Sequence, residues 1–241
     1  MPIKFDIITL FPDIIKCYFK ESLLKKAIEN NIIKINFYNL RDFSDDKRKK
    51  VDDKPFGGGR GMVIKAEPVI KAITSLIRIK IVNKKIKPVR KKTRIILFSP
   101  RGKNFNQKIA FNFLKFDHFI LICGRYEGID ERITKYVAID IISIGDYVLM
   151  GGEIPALVFI ETISRLIPGV VGKSELLLSE RIVKNGAFLE YPQYTRPAIL
   201  KLNEILKIKN KKVELSVPKI LLSGNHKKIE EWRKKHQKII E

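Results

Sequence analysis

SIGDYVLMGGEIP (143–155) is the stretch on which the fold turns. Gly145, Gly151 and Gly152 carry no Cβ, so the main chain there can take positive φ and lie close against a neighbour or a ligand. Pro155 fixes its own φ and ends that freedom. The apolar run before it, VAIDIISI (137–144), reads as a strand, which puts the glycines at a strand's carboxyl end. In open α/β sheets small ligands bind at that edge. Alone, the stretch fits a glycine-rich turn as well as a ligand cradle.

Working outward from it, strand and helix alternate. Residues 3–10 read as a buried strand, and Pro12 suits a first helical turn. Ile14, Ile15, Tyr18, Phe19, Leu23, Leu24, Ala27 and Ile28 then recur at helical spacing. Further strands are expected over 32–37, 94–98 and 118–123, and helices over 67–77, 106–114, 129–136 and 155–166. The pattern predicts an α/β domain over 1–168, a parallel sheet with helices on both faces. From Gly169 the texture becomes polar. An interdomain linker is expected over 169–190 and a small helical, basic domain over 191–241.

Composition narrows the partners. Of 241 residues, 48 are Lys or Arg and 26 Asp or Glu, a formal charge of +22 that favours a polyanion. Richness in Lys, Ile and Asn could also follow from AT-rich coding. The distribution favours RNA or DNA: 78–94 (RIKIVNKKIKPVRKKTR) holds nine basic residues and no acidic one, and is expected as an exposed, mobile loop. No apolar run approaches the ~18 residues of a membrane span. The first residues lack the pattern of a signal peptide. Cys17 and Cys123 make no disulfide framework, and no Cys/His spacing points to a metal. A cytoplasmic protein without a membrane partner is expected.

Two further loops share the character of 143–155: LFSPRG (97–102) and CGRYEG (123–128), each after an expected strand. Three such loops on one sheet edge could wrap a flat heterocycle with backbone groups. A fourth, DDKPFGGGRGM (52–62), has five Gly or Pro among eleven residues, a density suited to backbone laid against a ligand or nucleobase. No dinucleotide or P-loop fingerprint occurs, and no Ser-His-Asp or Cys-His set. His118, His226 and His236 read as structural or solvated.

Together DDKPFGGGRGM, LFSPRG, ILICGRYEGIDERI, SIGDYVLMGGEIPA, SRLIPGVVG, YPQYTRP and LLSGNH resemble, in order, the bacterial tRNA (guanine-N1)-methyltransferases of the TrmD type. The resemblance implies a SPOUT-class domain tied in a trefoil knot, a homodimer with shared active sites, and a tRNA-binding C-terminal domain. It implies transfer of a methyl group from S-adenosylmethionine to N1 of guanosine 37 in tRNAs where a guanosine precedes it. The implied cofactor cradle is Pro100, Gly124, Tyr126, Glu127, Ile144, Gly145, Asp146, Tyr147, Val148, Leu149 and Gly151. Asp53, Gly58 and Gly59 of the fourth loop would face the substrate.

N1 of neutral guanine carries a proton, so the chemistry asks for a base and for a cation to steady charge on O6. The resemblance gives Arg165 as the cation. The family's linker aspartate has no match; Glu180 stands at its place, in SERI rather than an x-D-S-F pattern, and Glu175 is the fallback. Met150 stands where the family carries Ser or Thr. Two other readings remain: a SPOUT methyltransferase of ribosomal RNA, and an RNA-binding relative without catalysis.

Overall fold

The computed structural model describes residues 1–137, 140–171, 188–207 and 213–240. The chain divides into two compact units, Met1–Leu178 and Ser179–Glu241.

The first unit is built on a sheet of five parallel strands. These are β1 (Ile3–Thr9), β2 (Ile33–Asn39), β7 (Thr93–Asn104), β8 (His118–Ile122) and β9 (Asp140–Ser143), in the order β2-β1-β8-β7-β9. β8 (HFILI) is buried along its whole length, as a central parallel strand covered on both faces should be. Its alternate side chains feed two cores. Phe119 joins an aromatic cluster with Phe5 of β1, Phe113 of α4 (Gln107–Phe113) and Phe159 of α6 (Glu153–Arg165), the rings 5.3–5.9 Å apart. Ile120 and Ile122 join Ile8, Ile95 and Leu97 on the other face. There they meet Val69 and Ile73 of α3 (Ala66–Leu76) and Ile133 of α5 (Glu131–Tyr136). The expected helix-covered parallel sheet is therefore observed.

Three local expectations change. The helical run after Pro12 breaks into α1 (Pro12–Lys16), a 3₁₀ turn over Cys17–Lys20 and α2 (Ser22–Glu29), with Ser22 at φ 65°. Residues 78–94 are not an open loop. β5 (Ile79–Val82) and β6 (Lys85–Pro88) form a hairpin, because Asn83 (φ 50°) and Lys84 (φ 63°) supply the two left-handed residues of a type I′ turn. The expected strand 137–144 shortens to β9, since Val137 caps α5.

LFSPRG does not end its strand. β7 pairs with β9 through Phe98, bulges, and pairs again from Lys103. Gly102 makes the return possible, because a Cβ there would lie 2.6 Å from the backbone N and C of Ile142. DDKPFGGGRGM opens in the short strand β3 (Asp52–Asp53) and leads into β4 (Val63–Ile64), with which β3 pairs.

The second unit contains α7 (Leu202–Ile205) and α8 (His226–His236). Two antiparallel ribbons accompany them: β10 (Phe188–Glu190) with β13 (Lys238–Ile240), and β11 (Ile199–Lys201) with β12 (Glu214–Ser216). Trp232 stacks on His236 at 4.3 Å and lies 6.3 Å from Tyr194.

A buried carboxylate ties the middle of the sheet. Asp6, fully buried in β1, accepts from Asn36 Nδ2 (2.7 Å) and pairs with Lys4 Nζ (2.8 Å) and His118 Nε2 (2.7 Å). Burial pushes its pKa up, but the bonds from His118, Lys4 and Asn36 outweigh that and hold it below the ordinary value. His118 is structural, as expected. Asp6→Ala should cost about 1–3 kcal/mol in urea unfolding, because it leaves the buried His118 ring and the Asn36 amide without their acceptor. The Asp6 contribution is present above the unfolded carboxyl value of about 3.9 and is lost as pH falls through the lower folded one. Asp6→Asn should flatten stability over that acid window, and an unchanged acid limb would contradict the assignment.

Candidate functional site

The bulge of β7 and the carboxyl ends of β8 and β9 open into one cavity of about 480 Å³. Its walls come from 97–101, 124–129, 141–145 and 147–152, with Thr134 and Pro155, which brings the three glycine-bearing segments together. Of the expected cradle, Pro100, Gly124, Tyr126, Glu127, Ile144, Gly145, Tyr147, Val148, Leu149 and Gly151 all line it. Asp146 does not; its carboxylate turns to Asn104 Nδ2 at 3.4 Å. Met150 lines the wall and is 89% exposed, so the position held by Ser or Thr in the resembled family offers a mobile thioether here.

Backbone geometry explains the glycines. Gly152 packs so tightly on the end of β8 that a Cβ would sit 2.7 Å from Cys123 Cα and 2.9 Å from Gly124 N. Its N–H donates to Gly124 O at 2.8 Å, and it caps α6. A Cβ on Gly145 would run into the Tyr147 ring, and one on Gly151 into the Arg125 side chain. Tyr126 holds φ 60° without being glycine, so its half-exposed ring is presented at the rim at a cost in backbone strain.

A second set of residues escapes sequence reasoning. Glu153, 1% exposed at the start of α6, accepts from Thr9 Oγ1 (2.6 Å) and from Arg125 Nε (2.9 Å). Arg125 also lies 5.0 Å over the Phe11 ring and donates to Met150 O at 3.4 Å. A Glu at a helix start reads from sequence as a solvated charge favoured by the helix dipole. Its place directly after two glycines was the available signal. Beneath this pair burial raises the Cys123 thiol pKa well above its usual value, and the Glu153 charge adds to it. Cys123 is a buried, inert thiol behind the site and does not line the cavity.

The fourth loop is laced to the cavity. Glu127 N donates to Met62 O (3.0 Å), Ile64 N to Gly128 O (3.0 Å) and Asp130 N to Ile64 O (2.9 Å). A Cβ on Gly61 would strike the Glu127 carboxylate at 2.6 Å. Gly58 (φ 82°) and Gly59 (φ 127°) sit at the tip, where a Cβ on Gly58 would meet nothing within 4 Å. Asp53 is exposed. The Lys54 N–H and the Lys50 charge hold its carboxyl below the ordinary value.

Arg165 is not at the cavity of its own chain. It is the last residue of α6, whose capping residue Gly152 lines the cavity, and thirteen residues span about 18 Å. Glu180 and Glu175 lie outside the described residues. Among the described residues no cluster of three His, Cys, Asp or Glu side chains is arranged to hold a metal. No described helix is long and apolar enough to cross a membrane.

A parallel sheet with a backbone-lined cavity at its carboxyl edge defines an α/β protein built to hold a small organic ligand. Comparison with known proteins narrows this. Residues 3–240 match the family described as tRNA (Guanine-1)-methyltransferase TrmD, and the chain belongs to that family of methyltransferases. It is 46% identical over 231 residues to a tRNA (guanine-N(1)-)-methyltransferase of Clostridioides difficile, covering 96% of this chain and 90% of that one. A protein of the same description from Lachnospira eligens is 44% identical over 237 residues, covering 98% and 90%. The crystal structure of tRNA (m1G37) methyltransferase from Aquifex aeolicus superposes with a TM-score of 0.72 at 34% identity, over 97% of this chain and 88% of that one.

Gly152→Ala tests the close approach. Backbone, not a flexible side-chain end, opposes the added methyl, so it should cost about 1–3 kcal/mol. A melting temperature lowered by several degrees is expected for a chain of this size. An unchanged one would show that α6 is not seated as described.

Proposed function

We propose that the protein methylates N1 of guanosine 37 in tRNAs with a guanosine before it, using S-adenosylmethionine, as a cytoplasmic homodimer. The observation that carries the proposal is the cavity whose wall includes ten of the eleven residues of the expected cradle. Its size suits a nucleoside-bearing ligand. Backbone amides and carbonyls of 144–149 can read an adenine edge without a charged side chain, and Tyr126, Tyr147, Val148 and Leu149 offer apolar faces. The residues present fit that cofactor.

S-adenosylmethionine, when bound, supplies an electrophilic methyl group on a sulfonium. The work left to the chain is positioning and proton removal. Glu180 takes the N1 proton in this reading, and Arg165 steadies the charge that moves onto O6. The position of Arg165, a helix length from its own cavity, supports sites shared across a two-fold axis, where the partner brings Arg165 to a cavity it cannot reach in its own chain. Exposed Phe11, Ile14, Ile154 and Val158 near α1 and α6 supply an apolar surface for that pairing. A trefoil knot belongs to the same reading; Gly102 laid on the Ile142 backbone supports a chain threaded that closely. So do the division into an N-terminal methyltransferase domain over 1–168, a linker over 169–190 and a tRNA-binding domain over 191–241.

The first test uses transcripts with and without guanosine 37 and the guanosine before it. Methyl transfer is expected only when both are present, and transfer independent of guanosine 37 overturns the proposal. Glu180→Gln should slow single-turnover transfer by about 10²–10⁴. Full activity would remove Glu180 as the base and direct attention to Glu175. Arg165→Ala and Gly145→Val, each inactive alone, should regain about a quarter of the activity when co-expressed, because each mixed dimer keeps one intact shared site. Absence of recovery would place Arg165 in its own chain's site.

A further inference from the structure

The most basic run of the chain has an ordered shape that the cavity does not use. In the β5–β6 hairpin Lys80 is paired directly with Lys87, and Val82 with Lys85. Alternation therefore puts Lys80, Lys85 and Lys87 on one face, while Ile79, Ile86 and Pro88 are half-buried on the other. Ile86 packs on the core beside α5. Like charges directly across a ribbon oppose folding. Nothing nearby relieves them: among the described residues no carboxylate lies within ion-pair distance of Lys80, Lys84, Lys85, Lys87 or Lys91. Some lysines elsewhere in the same unit, such as Lys16, Lys25 and Lys71, have carboxylate partners, and others, such as Lys26, Lys34 and Lys108, have none among the described residues. What sets this patch apart is its density, nine basic residues and no acidic one over 78–94, and the facing of lysine against lysine across the ribbon.

Beside the hairpin lies a recess of about 340 Å³, rimmed by Lys85, Lys87, Arg90 and Lys91, with Tyr136 on its other side. The Tyr136 ring is 42% exposed at the end of α5. Arg90 is committed to Asp117 at 2.7 Å, which leaves the lysines as the free cations. Unpaired ammonium groups beside an exposed aromatic ring are the combination that holds a sugar-phosphate chain and a base. The surface is also within range of the cavity: β7 runs from Thr93 at the recess to Leu97 at the cavity, four steps or about 13 Å.

We infer that the β5–β6 hairpin and its recess form a separate contact for the RNA backbone, with phosphates on Lys80, Lys85, Lys87 and Lys91 and a base against Tyr136. The inference rests on the RNA-methylation reading for its choice of polyanion. It adds a surface to the N-terminal unit, apart from the cavity and from the C-terminal unit.

The test compares the full-length wild type with a Lys80→Gln, Lys85→Gln, Lys87→Gln, Lys91→Gln variant in binding a tRNA transcript across a salt series. Each lost phosphate contact lowers the slope of log affinity against log salt by about 0.7–0.9, so the loss of all four should make the slope shallower by about 3–3.5. A matched Lys→Arg set should keep the wild-type slope. An unchanged slope in the Gln variant overturns the inference. Vesicles of phosphatidylglycerol and phosphatidylcholine supply the second arm. Vesicle binding lost in the variant while the RNA slope stays unchanged would assign the patch to lipid instead. S-adenosylmethionine binding, measured on the same variant, should match the wild type, and the melting temperature should not fall, since the lysines have no ion-pair partners to lose and oppose one another across the ribbon. Methyl transfer by the wild type is scored separately. A wild type that binds RNA with the steep slope and transfers no methyl group overturns the methylation reading and leaves this surface standing.

Discussion

Glu153 is the residue on which the carboxyl edge of the sheet depends. Its buried carboxylate joins Thr9 at the end of β1 to Arg125 in the loop after β8, and it does so from the first turn of α6. Burying a charge is unfavourable unless it is paired and hydrogen-bonded, and here both conditions hold. The consequence is positional. With α6 pinned at its start, Gly152 is pressed against Cys123 and Gly124, and the loop 143–151 must arch over the cavity instead of lying flat. The cradle is thus shaped by contacts beneath it, while the ligand-facing side is left mostly to backbone.

That division explains what could be read in the sequence. Glycines at tight turns and close approaches are visible because they answer a local steric demand. Residues from 97–102, 123–128 and 143–155 do line one cavity, although 97–102 proves to be a bulge within β7 and not the end of a strand. The parallel sheet was legible for the same reason, since a strand such as HFILI has no polar face to show to water. Glu153 and Arg125 were not legible. Nothing local separates a buried, paired carboxylate from a solvated one; the partner of Glu153 on β1 is 144 positions away. Arg165 was found through resemblance, and only the geometry of α6 shows that it lies a helix length from the cavity of its own chain.

The hairpin at 79–88 failed to show for another reason. Hairpin turns are announced by glycine, and this one is made with Asn83 and Lys84 in left-handed conformations. Lysine density then gave the segment the look of an open loop. In the same way Ser22, at positive φ, divides what periodicity alone presents as one helix. In both places left-handed backbone at residues other than glycine is retained because the surrounding structure overrides residue preference.

The strand order β2-β1-β8-β7-β9 carries a consequence for how the chain is made. β1 and β2 can pair as soon as both have left the ribosome, joined by the helices between them. Their inner edge, with Phe5 and the Asp6 carboxylate, stays uncovered until His118 and Phe119 are synthesised and β8 adds itself alongside. The ligand edge closes later still, when Glu153 arrives to meet Thr9. Such long sequence separations slow folding and prolong exposure of a bare strand edge. The nascent N-terminal third is therefore the part of this protein with most to gain from a chaperone.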